Sequence, residues 1–349
     1  MRQTRRTRAA TAQILQLGRS GAPLRPGPLA MSTLHDSPTN ASAPATGRLQ
    51  LYGLEWPTCL LIVCIYGLWL GALSWYRSSQ TPAALALLVL SAAWYMSLQH
   101  ELVHGHPSPW PWLNRCLGLA PLAVWYPFDV YRESHLAHHR DELLTYPGQD
   151  PESNYLDPQD FAAHNGLLRA LMLAQRTALG RFFISPAFGI ARLLRPLFNS
   201  SYWAEPALRW TWLQHGTLLA LMLWAVQAYS GINPMLYLLL SYFGLGLAFM
   251  RSFYEHRPAA DPQHRIAINE AGLLWRLLYL NNNYHAVHHA QAGLAWYHIP
   301  ALYWQQRALF LQRNGGFLIQ GYGRFFLRHA LRPVDAPGQL TRDLPAPPA

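Results

Sequence analysis

The stretch PAALALLVLSAAWYMSLQHELVH, residues 82–104, decides the architecture of this chain. It stays apolar for about 20 residues, which is the length that an α-helix needs to cross a bilayer. It then closes on His100 and His104, two histidines four positions apart. Side chains at this spacing lie on one face of a helix, so both imidazoles can reach one point beyond the apolar run. The stretch predicts a membrane-spanning helix that ends in a metal-binding motif.

Two further histidine clusters carry the same signal: HLAHH, residues 135–139, and HAVHH, residues 285–289. In both, the histidines lie at positions i, i+3 and i+4, and each cluster adjoins an apolar stretch. Grouped ionisable side chains at a membrane are costly and are usually functional. Eight rings exceed the six ligands of an octahedral ion, so the clusters predict more than one metal. The candidate ligands are His100, His104, His135, His138, His139, His285, His288 and His289.

The composition indicates a membrane protein. Of the 349 residues, 51% are hydrophobic and only 13% are charged, and all 27 basic residues are Arg. The net charge of +10 is compatible with nucleic acid or with anionic lipid as a partner. Because the Arg residues are spread between apolar segments and the aromatic residues lie inside those segments, we expect lipid and no nucleic acid. The three cysteines have no CxxC spacing and predict no disulfide framework.

Four segments are long and apolar enough to span a bilayer. They are residues 54–76, 83–103, 208–229 and 234–254. Short links after the first and the third segment predict two hairpins. Arg77 lies in the first link, and Arg209 and Arg251 lie near the ends of the third and fourth segments. The other Arg residues lie in the amino-terminal, 104–207 and carboxyl-terminal parts. The positive-inside rule therefore puts these parts, and all three histidine clusters, on the cytoplasmic side.

Residues 1–50 differ from the rest of the chain. They are rich in Arg, Ala, Thr and Pro and contain no acid before Asp36, which predicts a disordered segment. The pattern resembles an organellar transit peptide, but Met31 could equally be the true initiator, and we favour Met31.

The boxes HELVH, HLAHH and HAVHH, together with the run NNNYHAVHHAQAGLAWYHIPALY at 281–303, resemble the integral-membrane fatty acid desaturase and hydroxylase superfamily, especially its bacterial members. The resemblance covers residues 54 to about 310. It implies an all-α fold of four transmembrane helices under a cytoplasmic helical cap, two iron ions held by the histidines, and O₂ as co-substrate. We divide the chain into residues 1–50, a membrane domain at 51–310 and a cytoplasmic tail at 311–349. The expected location is the bacterial inner membrane.

The resemblance implies that the eight box histidines are iron ligands. It adds His256, in the run SFYEH at 252–256, although Ser252 stands where the family has Asn. His106 could ligate or merely orient a ligand. Carboxylates beside the boxes are expected to accept ring N–H groups; these are Glu101, Glu133, Asp141 and Glu255. The other membrane-edge histidines are expected to be structural: His164, His215, His264, His298 and His329.

The expected reaction is desaturation of a fatty acyl chain, because the context of the third box most resembles that branch. Hydroxylation of a fatty acyl, aminolipid or carotenoid substrate stays open, since both reactions begin by abstracting hydrogen. The glycine pairs in the sequence do not form a dinucleotide fingerprint, because Gly244 and Gly246 lie in the middle of a span. Electrons are therefore expected from a separate carrier, such as a ferredoxin or a b-type cytochrome.

The first box also permits a different class of enzyme. His100-Glu-Leu-Val-His104 matches HExxH, in which two histidines bind zinc and the glutamate is the general base of a metalloprotease. An intramembrane protease would leave the second and third boxes without a role. It would also need an acidic ligand in a later span, and the predicted spans contain no suitable acid.

Overall fold

The computed structural model describes residues 50–51 and 53–338. Most elements in this part are helices, and each strand is only two residues long. The predicted disorder of the amino-terminal segment and the end of the predicted tail fall on residues 1–49 and 339–349, which lie outside the described residues.

The helices are Trp56–Ser79 (α1), Pro82–Val103 (α2), Pro111–Gly118 (α3), Phe128–His138 (α4), Pro158–Ala163 (α5), Gly166–Ala174 (α6), Ala178–Phe183 (α7), Ser185–Leu194 (α8), Pro206–Ser230 (α9), Pro234–Arg251 (α10), Leu273–Leu278 (α11), His285–Ala290 (α12), Ile299–Gln305 (α13), Arg307–Arg313 (α14) and Tyr322–Arg328 (α15). Short 3₁₀ turns cover Asp141–Leu143, Arg195–Phe198, Ser200–Ala204 and Pro262–Arg265. The strands are Gln50–Leu51 (β1), Leu54–Glu55 (β2), Ile268–Asn269 (β3) and Leu318–Ile319 (β4).

Among the described residues, three helices are long and apolar enough to cross a membrane, namely α1, α2 and α10. They correspond to three of the four predicted spans, and the chain is a membrane protein. The remaining predicted span, 208–229, lies within α9, a helix of 25 residues. It includes Gln214 and His215, whose polar side chains lower its hydropathy. Its crossing of the membrane stays a prediction.

Local residue chemistry explains where the long helices start and stop. α1 ends at Gln80, which adopts a left-handed conformation with φ of 49°. α2 and α10 both begin with Pro, which is favoured at the first helical position because its missing N–H would be unpaired there. Gly231 ends α9 with φ of 76°, and the Asn233 side chain caps α10 by accepting from the N–H of Met235.

The long helices pack closely where small residues meet. A Cβ added to Gly244 of α10 would lie 2.7 Å from the Cβ of Ala92 in α2, so the two helices touch there. Indole Nε1 of Trp69 in α1 donates to the Tyr237 hydroxyl of α10 at 2.9 Å, and that hydroxyl donates to the Leu122 carbonyl at 3.0 Å. The irregular segment after α3 is therefore held against the spans.

The shorter elements pack around the ends of α2 and α10. Ile268 of β3 pairs in parallel with Leu318 of β4, which ties the segment before the third box to residues beyond 310. Tyr322 of α15 then packs against Tyr279, with ring centroids 5.4 Å apart. Residues far apart in the chain thus meet at one end of the long helices.

Candidate metal centre

The first histidine box lies on the last turn of α2. His100 is 4% exposed, and His104 is the helix C-cap. Gly105 follows with φ of 96°, a conformation that glycine adopts without strain, and the chain turns away there. The apolar helix therefore delivers both imidazoles to its end.

The second box ends α4. His135 and His138 are buried and lie three positions apart on one face, and His139 is the C-cap. Asp129, Arg132 and Glu133 lie on the opposite face and line a surface pocket. The amphipathic pattern of α4 thus points the histidines inward and the charges outward.

The third box is the short helix α12. Leu280 and Asn281 precede it in left-handed conformations, with φ of 49° and 57°. The Asn281 side chain donates to the carbonyl of Trp296 at 2.9 Å and accepts from Arg276 at 2.9 Å. This turn aims His285 and its neighbours back toward the ends of α2 and α4.

The structure brings all nine predicted ligands together, eight of them in two adjoining groups and His139 between the groups. One group contains His100, His104, His135 and His288, and the other contains His138, His256, His285 and His289. Within each group the ligand atoms lie within 4.8 Å of one another, a spacing that could hold a metal ion. His139 lies between the groups: its Nε2 is 3.0 Å from His288 Nε2 and 3.1 Å from His135 Nε2, and its ring is 4.5 Å from that of His289. Their role as ligands stays a prediction.

The ring nitrogens of these histidines face one another at short range. Nε2 of His135 lies 3.0 Å from Nε2 of His104. In the other group, Nε2 of His256 lies 3.0 Å from Nε2 of His138 and 3.0 Å from Nε2 of His285. The position of the proton on each ring therefore depends on the hydrogen-bond partner at Nδ1, on the opposite edge of the ring.

Carboxylates occupy those opposite edges. His138 Nδ1 lies 2.8 Å from Asp150 Oδ1, and His135 Nδ1 lies 3.1 Å from Glu152 Oε1. An ionised carboxylate only accepts hydrogen bonds, so each Nδ1 donates its proton and a neutral ring presents a lone pair at Nε2.

This donor set fits a metal ion. Facing lone pairs repel unless a cation lies between them. Two imidazole nitrogens at right angles on an ion about 2.1 Å away would be about 3.0 Å apart, which matches the separations above. Imidazole suits iron, zinc and copper, so the ligands alone do not select the metal.

The electrostatics also favour a cation. Burial lowers the pKa of His285 and His288, so these rings are neutral and can ligate. Burial acts in the same direction on His138, but Glu152 and Asp150 override it and raise its pKa to about 9. This position therefore attracts positive charge, and a metal ion would bind there by displacing a proton.

Sequence reasoning missed Asp150 and Glu152. Both belong to the run TYPGQDPES after the second box. The loop is held from inside, because Asp150 Oδ2 accepts from the N–H of Thr145 at 3.0 Å. Thr145 adopts a left-handed φ of 72°, a strained conformation of the kind that clusters at functional sites. An acidic, proline-containing loop shortly after a histidine box is the signal that could have identified these residues.

The four carboxylates that were expected near the boxes differ in placement. Asp141 lies 2.8 Å from His289 Nδ1, and so occupies the expected place. Glu101 and Glu255 lie farther from their nearest box histidines, at 3.5 Å from His100 Nδ1 and 3.8 Å from His285 Nδ1.

Glu133 lies on the outer face of α4 and lines the surface pocket. Helical periodicity explains this placement, because residue 133 is two positions from His135 and therefore points away from it.

The remaining histidines lie elsewhere. His106 Nδ1 is 2.7 Å from Glu55 Oε1, so the structure pairs this ring with the segment before α1. His215 Nε2 donates to the Val124 carbonyl at 2.7 Å, and His164 Nδ1 donates to the Asp160 carbonyl at 2.6 Å. His329 contacts the Arg332 carbonyl, His264 lies near Asp261, and His298 is buried.

Fold and site together define a class: a helical membrane protein with two adjoining histidine groups that could each hold a metal ion. The family described as fatty acid desaturase matches residues 79–321, which include all three boxes. The chain belongs to this family, as the sequence resemblance predicted. The comparison with curated proteins found no match.

Proposed function

We propose that the protein is an O₂-dependent, membrane-bound di-iron oxidase that desaturates fatty acyl chains of membrane lipids. The main support for this proposal is the pair of four-histidine groups at the end of the apolar helix α2. Acidic loop residues at Nδ1 keep lone pairs pointing inward. Membership of the fatty acid desaturase family supports the substrate class.

An unactivated methylene C–H bond resists acids, bases and nucleophiles. Bound in the two groups, iron would supply the redox chemistry with O₂ that such a bond requires. The chain's own residues hold the ions and keep water away. His135 is 1% exposed, His288 is 1% exposed and His138 is 3% exposed, so the ligands lie in a closed interior.

Four membrane crossings are part of the proposal. The ends of α2 and α10 lie together, since His100 belongs to one histidine group and His256, just beyond α10, to the other. Both helices must then run toward the same face of the membrane. The chain between them can satisfy this only by crossing once more, and α9 is the helix long enough to do so.

The Arg distribution supports a cytoplasmic location for the site and insertion in a bacterial inner membrane. The electrons would come from a separate carrier, either a ferredoxin or a b-type cytochrome. The lipid substrate would enter from the bilayer, and no nucleic acid is involved.

The geometry favours the oxidase over an HExxH protease. In a protease of that type, the Glu101 carboxylate would activate a water molecule on zinc. Here Glu101 is 3% exposed, and its Oε2 accepts from the backbone N–H of Trp296 at 3.1 Å. His100 and His104 also share their group with His135 and His288.

The test is to express the full chain in a bacterial host and to compare the membrane lipids by mass spectrometry with those from a His138→Ala/His288→Ala double variant. The iron content of the purified proteins is measured in parallel, and His164→Ala serves as a matched control. Lipids lighter by two hydrogens, together with about two iron ions per chain, would support the proposal. Lipids heavier by one oxygen would replace desaturation by hydroxylation, and unchanged lipids with one zinc ion would favour the protease.

A further inference from the structure

The loop that carries Asp150 and Glu152, residues 145–156, is here named the carboxylate loop. Its inner end is held by the bond between Thr145 N–H and Asp150, and Ser153 Oγ donates to the Thr145 carbonyl at 3.0 Å. Its far end carries Tyr155, which is 4% exposed. The contacts of Tyr155 decide how firmly the loop is held.

Residues 329–338, here named the C-terminal strap, lie beyond the part of the chain that matches the family. Backbone hydrogen bonds fix the strap along the start of α7: Ala178 N–H donates to the His329 carbonyl at 2.7 Å and Leu179 N–H to that of Ala330 at 3.1 Å. Leu156 N–H, at the end of the carboxylate loop, donates to the Pro337 carbonyl at 2.9 Å. The strap therefore spans from α7 to the loop.

A buried polar network joins the strap to the carboxylate loop and to the backbone of His256. The Tyr155 hydroxyl lies 2.6 Å from Asp335 Oδ2 and 3.2 Å from the carbonyl oxygen of His256. Arg176 pairs with Asp335 and donates to the same hydroxyl at 3.0 Å. Arg176 is 5% exposed, and the Asp335 side chain is 11% exposed. Three chain segments thus meet at one hydroxyl group.

We propose that the C-terminal strap, through Asp335, positions the carboxylate loop and His256 and so holds the second histidine group in its metal-binding geometry. This inference rests on the proposed function, because that function assigns the groups to iron. Asp335 and Tyr155 are positioning residues, since they act through Asp150, Glu152 and the backbone of His256. The strap lies outside the residues that match the family.

The network holds the Asp335 carboxylate in one place. Asp335 is held by Arg176 from one side and Tyr155 from the other, and the strap's backbone bonds fix where its carboxylate lies. Loss of the Asp335 carboxylate leaves the buried Arg176 without its ion-pair partner and removes the 2.6 Å contact between the Tyr155 hydroxyl and the strap. The contacts of that hydroxyl with Arg176 and with the His256 carbonyl remain. The loop end is then tied less firmly to the strap, and the geometry at Nδ1 of His135 and His138 loosens.

The experiment compares Asp335→Ala and Tyr155→Phe with the unchanged full-length chain. Tyr155→Phe is the sharper change, because it removes the hydroxyl but leaves the Arg176–Asp335 pair. Arg332→Ala is the matched control, since its exposed side chain belongs to the same strap. Asp335→Glu tests rescue by a retained carboxylate. Amide hydrogen exchange is measured on metal-free protein, and iron release to a chelator is measured on loaded protein.

We expect faster exchange confined to residues 145–156 in both Asp335→Ala and Tyr155→Phe. We also expect iron release about tenfold to a hundredfold faster, the range that follows loss of a group supporting a ligand. Arg332→Ala should match the unchanged chain, and Asp335→Glu should recover part of the effect.

Unchanged loop exchange and unchanged iron release in both variants would overturn the inference. So would faster exchange throughout the protein in Asp335→Ala with no effect of Tyr155→Phe, because the strap would then support the whole fold and not the loop. If the protein without substitutions binds no iron, that result would contradict the proposed function and not the inference about the strap. The exchange comparison would still decide whether the strap holds the loop, since it uses metal-free protein.

Discussion

At the scale of single residues, three of the clustered histidines have a carboxylate at Nδ1, on the edge of the ring away from the other histidines. Asp150, Glu152 and Asp141 each face an Nδ1 atom, which leaves the Nε2 atoms to point at one another. An imidazole without such a partner can rotate or protonate at either nitrogen. The acidic residues are thus as much a part of the centre as the rings they orient.

Replacing a ring should separate ligands from bystanders. His288→Ala removes a nitrogen from the first group, and we expect turnover to fall by at least about a hundredfold, with loss of iron from that group. His164→Ala should leave both turnover and iron content unchanged, because this ring hydrogen-bonds to the Asp160 carbonyl and belongs to neither histidine group. Lipid analysis and metal content measure both quantities, and a His288→Ala protein with full activity would contradict the ligand assignment.

Replacing a supporting carboxylate should give a graded effect. Glu152→Gln keeps the size of the side chain but removes the charge that faces His135 Nδ1. We expect iron affinity to fall about tenfold to a hundredfold, with partial activity. Glu142→Gln is the matched control from the neighbouring 3₁₀ turn, where the side chain is exposed. Competition with a chelator gives the affinities, and equal values for the two variants would show that Glu152 does not support the site.

At the scale of elements, the centre depends on how closely α2 and α10 approach. Each helix carries a histidine at or just beyond its end, so the separation of the helices sets the separation of His100 and His256. Gly244 permits the contact, because it has no Cβ to strike Ala92.

Gly244→Ala should therefore destabilise the protein. The added methyl group would lie 2.7 Å from the Cβ of Ala92, and forced overpacking typically costs about 1–3 kcal/mol. Gly67→Ala in α1 is the control, since its new Cβ would meet nothing within 4 Å. Thermal unfolding in detergent should show a lower Tm for Gly244→Ala only. Similar Tm values for both variants would mean that α2 and α10 can separate without cost.

At the scale of the whole molecule, the meeting of α2 and α10 at one end is the basis of the proposed topology. α1, α2 and α10 alone would send His100 and His256 to opposite faces of the membrane. Their presence in two adjoining groups supports the proposed further crossing between residues 104 and 234.

Single-cysteine labelling tests this topology. After the three native cysteines are replaced by Ser, cysteines are introduced at Ser78 and Met235, which are exposed positions in the last turn of α1 and at the start of α10. A membrane-impermeant thiol reagent should label both in intact cells. Asn154→Cys, exposed on the carboxylate loop, should react only after lysis. Labelling of Met235→Cys only after lysis would rule out a crossing by α9.

The sequence by itself determined the features that depend on short-range order. Apolar runs of bilayer length predicted α1, α2 and α10, and the spacing within the three boxes identified eight of the nine histidines that the structure brings together, while the ninth, His256, came from the family resemblance. These signals survive without tertiary information because the helical repeat is a local property. Glu133 shows that nearness in sequence does not suffice to predict a contact, since a residue close to a box can lie on the opposite face of the helix.

Only the tertiary structure decided how the boxes combine. His104 meets His135 across 31 positions of sequence, and His138 meets His256 across 118. The partners Asp150 and Glu152 and the buried bond from Tyr155 to Asp335 likewise join segments that no local repeat relates. Periodicity determines which face of a helix a side chain occupies. Which faces meet depends on the packing of the whole chain, and therefore the two histidine groups exist only in the folded molecule.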